Sequence, residues 1–208
     1  MNILITGALG HIGSKLITNL KKIKKLNKVY FIDCAKSNNL NVLFGLRYKK
    51  ISIKFIYGDL INKKTLNQIN DKIDVIIHLA SITNAEKSFK NKKEIYSNNY
   101  GIFKKILEFS IKKRSRLIHL SSTSVYGPQK SIVDETSNDL NPKSPYADVK
   151  LLEEKLLKKN NKKLKFVTFR FGTITGFSQG MRFHTAANKF CLYAILKRPL
   201  TIWNNAAS

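Results

Sequence analysis

The chain is short of acid, cysteine and long apolar runs. Its 208 residues carry 13 Asp plus Glu against 38 Lys plus Arg, a formal charge of +25, with two Cys, four His, four Pro and one Trp. No run of about eighteen apolar residues occurs, so no membrane-spanning helix is expected. Cys34 and Cys191 lie far apart without metal-ligand spacing, which suggests ordinary thiols in a reducing, cytoplasmic setting. His11, His78, His119 and His184 make no H-x-x-x-H pattern, so no metal site is expected. The first residues read as a strand and a glycine turn, not as a cationic stretch before a cleavable apolar segment, so no secretory leader is expected. Internal repeats and low-complexity linkers are missing too.

Arginine is also scarce, and almost all the positive charge is lysine. It is spread in pairs such as Lys21-Lys22, Lys63-Lys64, Lys112-Lys113 and Lys158-Lys159, many of them near the ends of predicted helices, where cations suit the helix dipole. No nucleic-acid-binding signature accompanies it. A solvated lysine-rich surface is therefore favoured over a specific nucleic-acid or membrane partner, with loose attraction to polyanions at low salt.

What is present is an ordered alternation. With 43% hydrophobic residues the chain can bury the core of one ordinary domain. Strands are predicted at 2–6, 29–33, 52–57, 73–80, 116–122 and 164–170. Helices are predicted at 11–26, 62–70 (with Asn62 and Thr65 as caps), 93–112, 145–159 and 185–196, and a short helix or irregular link at 38–50. The fourth strand is apolar almost throughout, so burial on both faces is expected. Alternating strands and helices give an α/β, doubly wound parallel sheet of the Rossmann type, with strand order 3-2-1-4-5-6. Ligands of such sheets lie across the carboxyl ends of the strands.

The first strand ends at Thr6, and Gly7, Gly10 and Gly13 follow at the opening of a helix. A diphosphate needs that order: a tight turn, a close backbone approach and helical N–H groups aimed at negative charge. His11 and Ile12 lie inside the same loop. Twenty residues after Gly13 the second strand ends in Asp33, placed to accept hydrogen bonds from adenosine ribose hydroxyls. Asp33 would repel a 2′-phosphate and Cys34 follows it rather than Arg, so NAD is favoured over NADP.

Tyr146 and Lys150 are spaced to share one helix face. A free phenol, with a pKa near ~10, is a poor base at neutral pH, and a neighbouring ammonium favours the phenolate. Ser122 stands at the carboxyl end of the fifth strand, where a hydroxyl meets a bound ligand. Residues 127–144 hold two of the four prolines, with Pro145 directly after, and are read as a loop at the rim of the site.

Taken in order, T-G-A-L-G-H-I-G, Asp33, G-D-L at 58–60, H-L-A at 78–80, N-N-Y-G at 98–101, S-S-T-S-V-Y-G, P-Y-x-x-x-K and R-F-G-T-I-T-G at 170–176 resemble the extended short-chain dehydrogenase/reductases of the NAD-dependent epimerase/dehydratase kind. The resemblance implies that Gly7, Gly10 and Gly13 hold the diphosphate and Asp33 the ribose. Asp59 and Leu60 would border the adenine, Leu79 and Ala80 line the cofactor cleft, and Asn98 support the helix beside it. Ser122, Tyr146 and Lys150 would form the catalytic set, with transient hydride transfer to NAD from a nucleotide-sugar substrate. Ser122, Thr173 and Arg182 are the candidates for touching that substrate.

Sugar 4,6-dehydratases carry an Asp-Glu pair where this chain has Thr123 and Ser124, so an epimerase of the UDP-glucose 4-epimerase type, or a 4-keto reductase or dehydrogenase, is favoured. The galactose-epimerase type has Asn at Thr173. The resemblance also implies an NAD-binding region over 1–176, the start of a substrate-binding region over 177–208, and most of a C-terminal lobe missing. A catalytically idle NAD-binding remnant or interaction module is the competing reading, and a homodimer is admitted as a partner.

Overall fold

A computed structural model of the chain describes residues 1–44, 46, 48–83, 89–183 and 185–200. Six strands form one parallel sheet: β1 Asn2–Thr6, β2 Lys28–Asp33, β3 Ser52–Tyr57, β4 Val75–His78, β5 Arg116–Ser122 and β6 Phe166–Phe171. Their order is β3-β2-β1-β4-β5-β6, as the alternation of segments predicts. Helices α1 His11–Thr18, α2 Lys63–Asn67, α3 Lys92–Ile95, α4 Gly101–Lys113, α5 Pro145–Lys159 and α6 Ala186–Ile195 accompany it. The direction of winding reverses at β1, and Thr6 pairs with Ile32 on one side and His78 on the other. The carboxyl ends of β1, β2 and β4 therefore share one rim, and a crevice opens where the winding changes direction.

Alternation along β1 divides the core. Leu4 joins Ile76, Phe103, Ile106, Leu117 and Leu157 on one face of the sheet. Ile3 and Ile5 join Ile17, Val29 and Phe31 on the other. Each such fully buried side chain contributes roughly 1.5–3 kcal/mol relative to exposure. On β4, Ile76 and His78 are buried while Val75 and Ile77 are half-buried, so the expected two-sided burial is incomplete. That strand spans Val75–His78 rather than 73–80.

Local chemistry explains where helices differ from the sequence pattern. The first helix was expected to reach Leu26 but stops at Thr18. The Lys15 carbonyl that a continuing helix would use accepts from the side chains of Thr18 (2.8 Å) and Asn19 (2.8 Å). The Asn19 N–H turns to Leu16 instead, and a single 3-10 turn, Leu20–Lys22, follows. The helix expected at 93–112 is interrupted by a π turn, Tyr96–Tyr100, between α3 and α4. Asn62 caps α2 by accepting from the Lys64 N–H at 2.9 Å, whereas Thr65, also expected as a cap, donates to the Asp59 carbonyl. The sequence around α5 leaves little freedom: Ser144 accepts from the Ala147 N–H at 3.2 Å and Pro145 occupies the first turn.

Candidate active site

An open cleft of about 1060 Å³ runs along the carboxyl rim of the sheet. It is lined by Gly7, Gly10, His11, Ile12, Gly13, Asp33, Asp59, Leu60, Leu79, Ala80 and Asn98, and also by Ser122, Tyr146, Lys150, Thr173 and Arg182. All the residues singled out from sequence thus surround one space.

The glycine loop is shaped by close approach. Gly7 has φ of 67°, and a Cβ there would lie 2.6 Å from the backbone nitrogen of Ala80. The turn and the exit of β4 both need that side chain to be missing. Gly7→Ala is expected to lower stability by about 2 kcal/mol or more, read as a fall in the thermal midpoint; an unchanged midpoint would contradict the described packing. Gly10 differs: a Cβ there would meet only the Gly7 carbonyl, at 3.3 Å, and the Arg182 side chain, at 3.9 Å. Gly10 is the N-cap of α1 and offers no side chain to its first N–H groups. The result is a cradle of backbone donors facing the cleft, which suits an anion.

Asp33 braces this loop. Its Oδ2 accepts from the Leu9 N–H at 2.9 Å and its Oδ1 from the Ala35 N–H at 2.8 Å. Each carboxylate oxygen keeps a second lone pair for a ribose hydroxyl. Asp59 accepts from the Ile61 N–H at 2.9 Å and sits 4.0 Å from the Lys36 ammonium. His11 contacts the Gly176 carbonyl at 2.8 Å, and the Gly180 N–H donates to Ser14 at 2.9 Å. The stretch after β6 is thereby laid across the start of α1. Arg182 reaches from this stretch to the Thr83 hydroxyl, beside Gly10. His184, a histidine of the same stretch, lies outside the described residues.

Beneath the loop, the side chain of Thr6 is 2.7 Å from Nδ1 of His78. Burial pushes His78 down to about 3, with the Lys150 charge acting in the same direction and Glu153 opposing. A histidine neutral in the fold but protonated when unfolded stabilises above about pH 6.5 and loses that contribution as pH falls. Between pH 6.5 and pH 4.5 this loss amounts to about 2–3 kcal/mol. Thermal melts at both pH values should show it in the native chain and a smaller loss in His78→Gln; equal losses would contradict it.

On the opposite wall β5 delivers Ser122, whose Oγ accepts from the Ser124 hydroxyl at 2.8 Å and the Ser124 N–H at 3.2 Å. Tyr146 and Lys150 come from the first two turns of α5, with the ammonium 5.9 Å from the phenol ring centroid. From the 127–144 loop Gly127, Lys143 and Ser144 reach the cleft, so that loop does form part of its rim. The π turn places Asn99 so that its side chain accepts from the Ile82 N–H and donates to the Ile82 carbonyl, both at 2.9 Å. Asn98, the residue chosen from sequence, donates to Asn99 at 3.0 Å.

Three charged or titratable side chains missed by the sequence reading are buried behind this wall. Glu153 Oε2 lies 2.9 Å from both the Lys150 ammonium and Nε2 of His119. Glu154 is held by Ser121 at 2.5 Å and by two bonds from Arg170, at 3.0 and 2.8 Å. Burial disfavours both carboxylates, but their hydrogen-bonded partners outweigh it and both end below the usual carboxylate range. Strand alternation sends His119 and Ser121 toward α5, and Glu153 lies three residues beyond Lys150. That pairing of periods is the signal that could have found them.

A parallel sheet with a glycine turn at its switch point and an N-terminal helix cradle defines a doubly wound, dinucleotide-binding class of protein. The NAD dependent epimerase/dehydratase family matches residues 3–207, and the chain belongs to that family. A dTDP-D-glucose 4,6-dehydratase of Dictyostelium discoideum is 32% identical over 78% of this chain and 41% of its own length. An uncharacterised UDP-glucose epimerase, YtcB, of Bacillus subtilis is 32% identical over 99% of this chain and 66% of its own. A UDP-glucuronic acid 4-epimerase from Bacillus cereus, solved with UDP-glucuronic acid and NAD, superposes with a TM-score of 0.84 at 31% identity, over 98% of this chain and 66% of that one. The chain therefore spans between two fifths and two thirds of these proteins. Among the described residues no helix is long and apolar enough to cross a membrane, and no cluster of three or more His, Cys, Asp or Glu suits a metal ion.

Proposed function

We propose that this chain binds NAD along the rim of its sheet and carries the proton-handling half of a nucleotide-sugar epimerase site. The observation that carries this reading is the convergence of Ser122, Tyr146 and Lys150 on the cleft that also contains the Gly10 cradle and Asp33. The uncapped N–H groups of α1 would hold the pyrophosphate, and Asp33 the adenosine ribose, with Asp59 and Leu60 at the adenine and Leu79, Ala80 and Asn98 along the cleft. NAD, when bound, supplies a reversible hydride acceptor.

The chain's own residues do the rest. Tyr146 takes the proton from a sugar hydroxyl, Ser122 holds that oxygen by hydrogen bonding, and Lys150 presents an ammonium to the ribose and the phenol. Thr173 and Arg182 face the sugar-nucleotide end, with residues 177–208 read as the start of a substrate-binding region. Thr123 and Ser124 carry no carboxyl group to drive loss of water, which supports epimerase over dehydratase chemistry. The lysine-rich surface is read as solvated, with no specific nucleic-acid or membrane partner, in a cytoplasmic protein that admits a homodimer.

Calorimetric titration with NAD and NADP, followed by incubation with UDP-, GDP- and dTDP-sugars, tests the reading. NAD binding tighter than NADP, with interconversion of one sugar pair, is expected. Net accumulation of reduced nicotinamide would instead indicate a dehydrogenase. NAD binding without turnover would favour the idle remnant or interaction module. Failure to bind NAD overturns both.

A further inference from the structure

Behind the cleft, Lys150 is not held by the groups it would serve. Its ammonium is buried and bonded to Glu153, one turn further along α5. The same carboxylate oxygen is the partner of His119 on β5, and both His119 and Glu153 are almost fully buried (0% and 1% exposed side chains). Phe103 of α4 closes the cluster, its ring centroid 4.8 Å from that of His119 and 5.8 Å from that of His78. We propose that Glu153, steadied by His119, is a positioning residue. Its carboxylate fixes where the Lys150 ammonium sits and provides the counter-charge that keeps a buried ammonium in place at the wall of the cleft.

The geometry assigns each donor. Burial lowers His119, with the Glu153 hydrogen bond opposing, so the ring is neutral near pH 7. Its Nε2–H then donates to Glu153, and Nδ1 is left toward Thr168 (3.4 Å). An ammonium has three donors, and one goes to Glu153. The others remain for the cleft that Lys150 lines, so the pair does not compete with service to a ribose. The groups around the ammonium are Tyr146, Glu153 and Glu154 of α5, His119 of β5 and His78 of β4. Arg170 of β6 is committed to Glu154, and the adjoining π turn brings the neutral Asn98 and Asn99, with its Tyr96 hydroxyl turned to Asp148 of α5. Glu153 is thus the single carboxylate in contact with Lys150 among the described residues. Burial alone would push Lys150 down, but Glu153 foremost, with Tyr146, outweighs it and Lys150 stays above its ordinary value. A buried ammonium deprived of its partner loses its proton instead.

The inference concerns the proposed NAD site and rests on that reading only for the second of two readouts. In the first, the chain carrying carbon-13-labelled lysine is titrated by NMR without nucleotide, and the Lys150 signal is assigned by its loss in Lys150→Met. Native Lys150 should titrate above the exposed lysines. In Glu153→Gln it should titrate below them, by about 2 pH units or more. In the second readout NAD affinity is compared at pH 7 and pH 9. It should be nearly unchanged in the native chain and weaken about tenfold in Glu153→Gln, because the ammonium is lost as pH rises.

Native Lys150 titrating with or below the exposed lysines overturns the proposal, and that measurement needs no variant to fold. So does a folded Glu153→Gln whose Lys150 titrates as in the native chain. If native lysine behaves as stated but NAD fails to bind at either pH, the functional reading falls and Glu153 stands as the anchor of Lys150.

Discussion

Replacing Tyr146 by Phe is expected to lower sugar-dependent turnover by about 10³-fold while NAD affinity changes by less than about threefold. The variant removes one oxygen and leaves the ring. Tyr146 stands in the first turn of α5, where Pro145 and the Ser144 cap set the backbone independently of the phenol hydroxyl. The helix, the Lys150–Glu153 pair and the glycine loop should all survive the change, so the expected loss is confined to the group proposed to accept the substrate proton. General acid–base catalysis is typically worth about 10² to 10⁴ in rate, so a deficit in that range is diagnostic. Parallel measurement of turnover and calorimetric NAD affinity separates the two effects. Turnover within about threefold of native would remove Tyr146 from the reaction and with it the chemistry proposed for the cleft.

The largest effect on stability is expected at Arg170. Its guanidinium grips Glu154 through two bonds in a site where both side chains are less than a tenth exposed. The Tyr126 ring centroid lies 4.8 Å from the same guanidinium. The hydrogen-bonded carboxylate holds Arg170 above its ordinary value, with burial opposing. Arg170→Met leaves the Glu154 carboxylate buried with only Ser121 beside it, at a cost of about 3–5 kcal/mol. Domains of this kind have about 5–15 kcal/mol in total, so a fall of roughly 10 °C in the thermal midpoint follows. Glu154→Leu combined with Arg170→Met should regain much of it, since no charge is then stranded. A single variant within about 1 kcal/mol of native would show that the pair is solvated. Acid works in the same direction. The paired carboxylates of Glu153 and Glu154 stabilise above the ordinary carboxylate range, and that contribution is lost as pH falls through their lowered values.

The sheet was legible because each strand announces itself by apolar content and each crossover by a helical period. β3, β5 and α5 occupy their predicted spans, helped by Ser144-Pro145 and by short, well-marked ends. The early end of α1 was not legible, because it depends on two polar side chains competing for the Lys15 carbonyl rather than on any pattern. Nor was the π turn at Tyr96–Tyr100, which shifts the helix by a fraction of a turn and gives Asn99 the contacts with Ile82.

The glycines, Asp33 and Ser122 were legible as residue types at strand ends and Tyr146 and Lys150 as a pair on one helix face, and the fold brings them to one cleft. Glu153, Glu154 and His119 were passed over for a physical reason. In sequence they resemble a helix's solvated acids and a strand's stray histidine, and only the closure of α5 on β5 buries them together. The charge count hid them further, since a surplus of lysine draws attention to the surface rather than to two acids in the interior.

A crystal structure of the chain with NAD bound measures the central claim most directly. The pyrophosphate should lie within hydrogen-bond distance, about 3 Å, of the N–H groups that open α1 at Gly10 and His11. The adenosine ribose should rest on Asp33, and the nicotinamide should face Tyr146 and Ser122. A nucleotide bound elsewhere, or lying in the cleft with its phosphates turned away from Gly10, would contradict it.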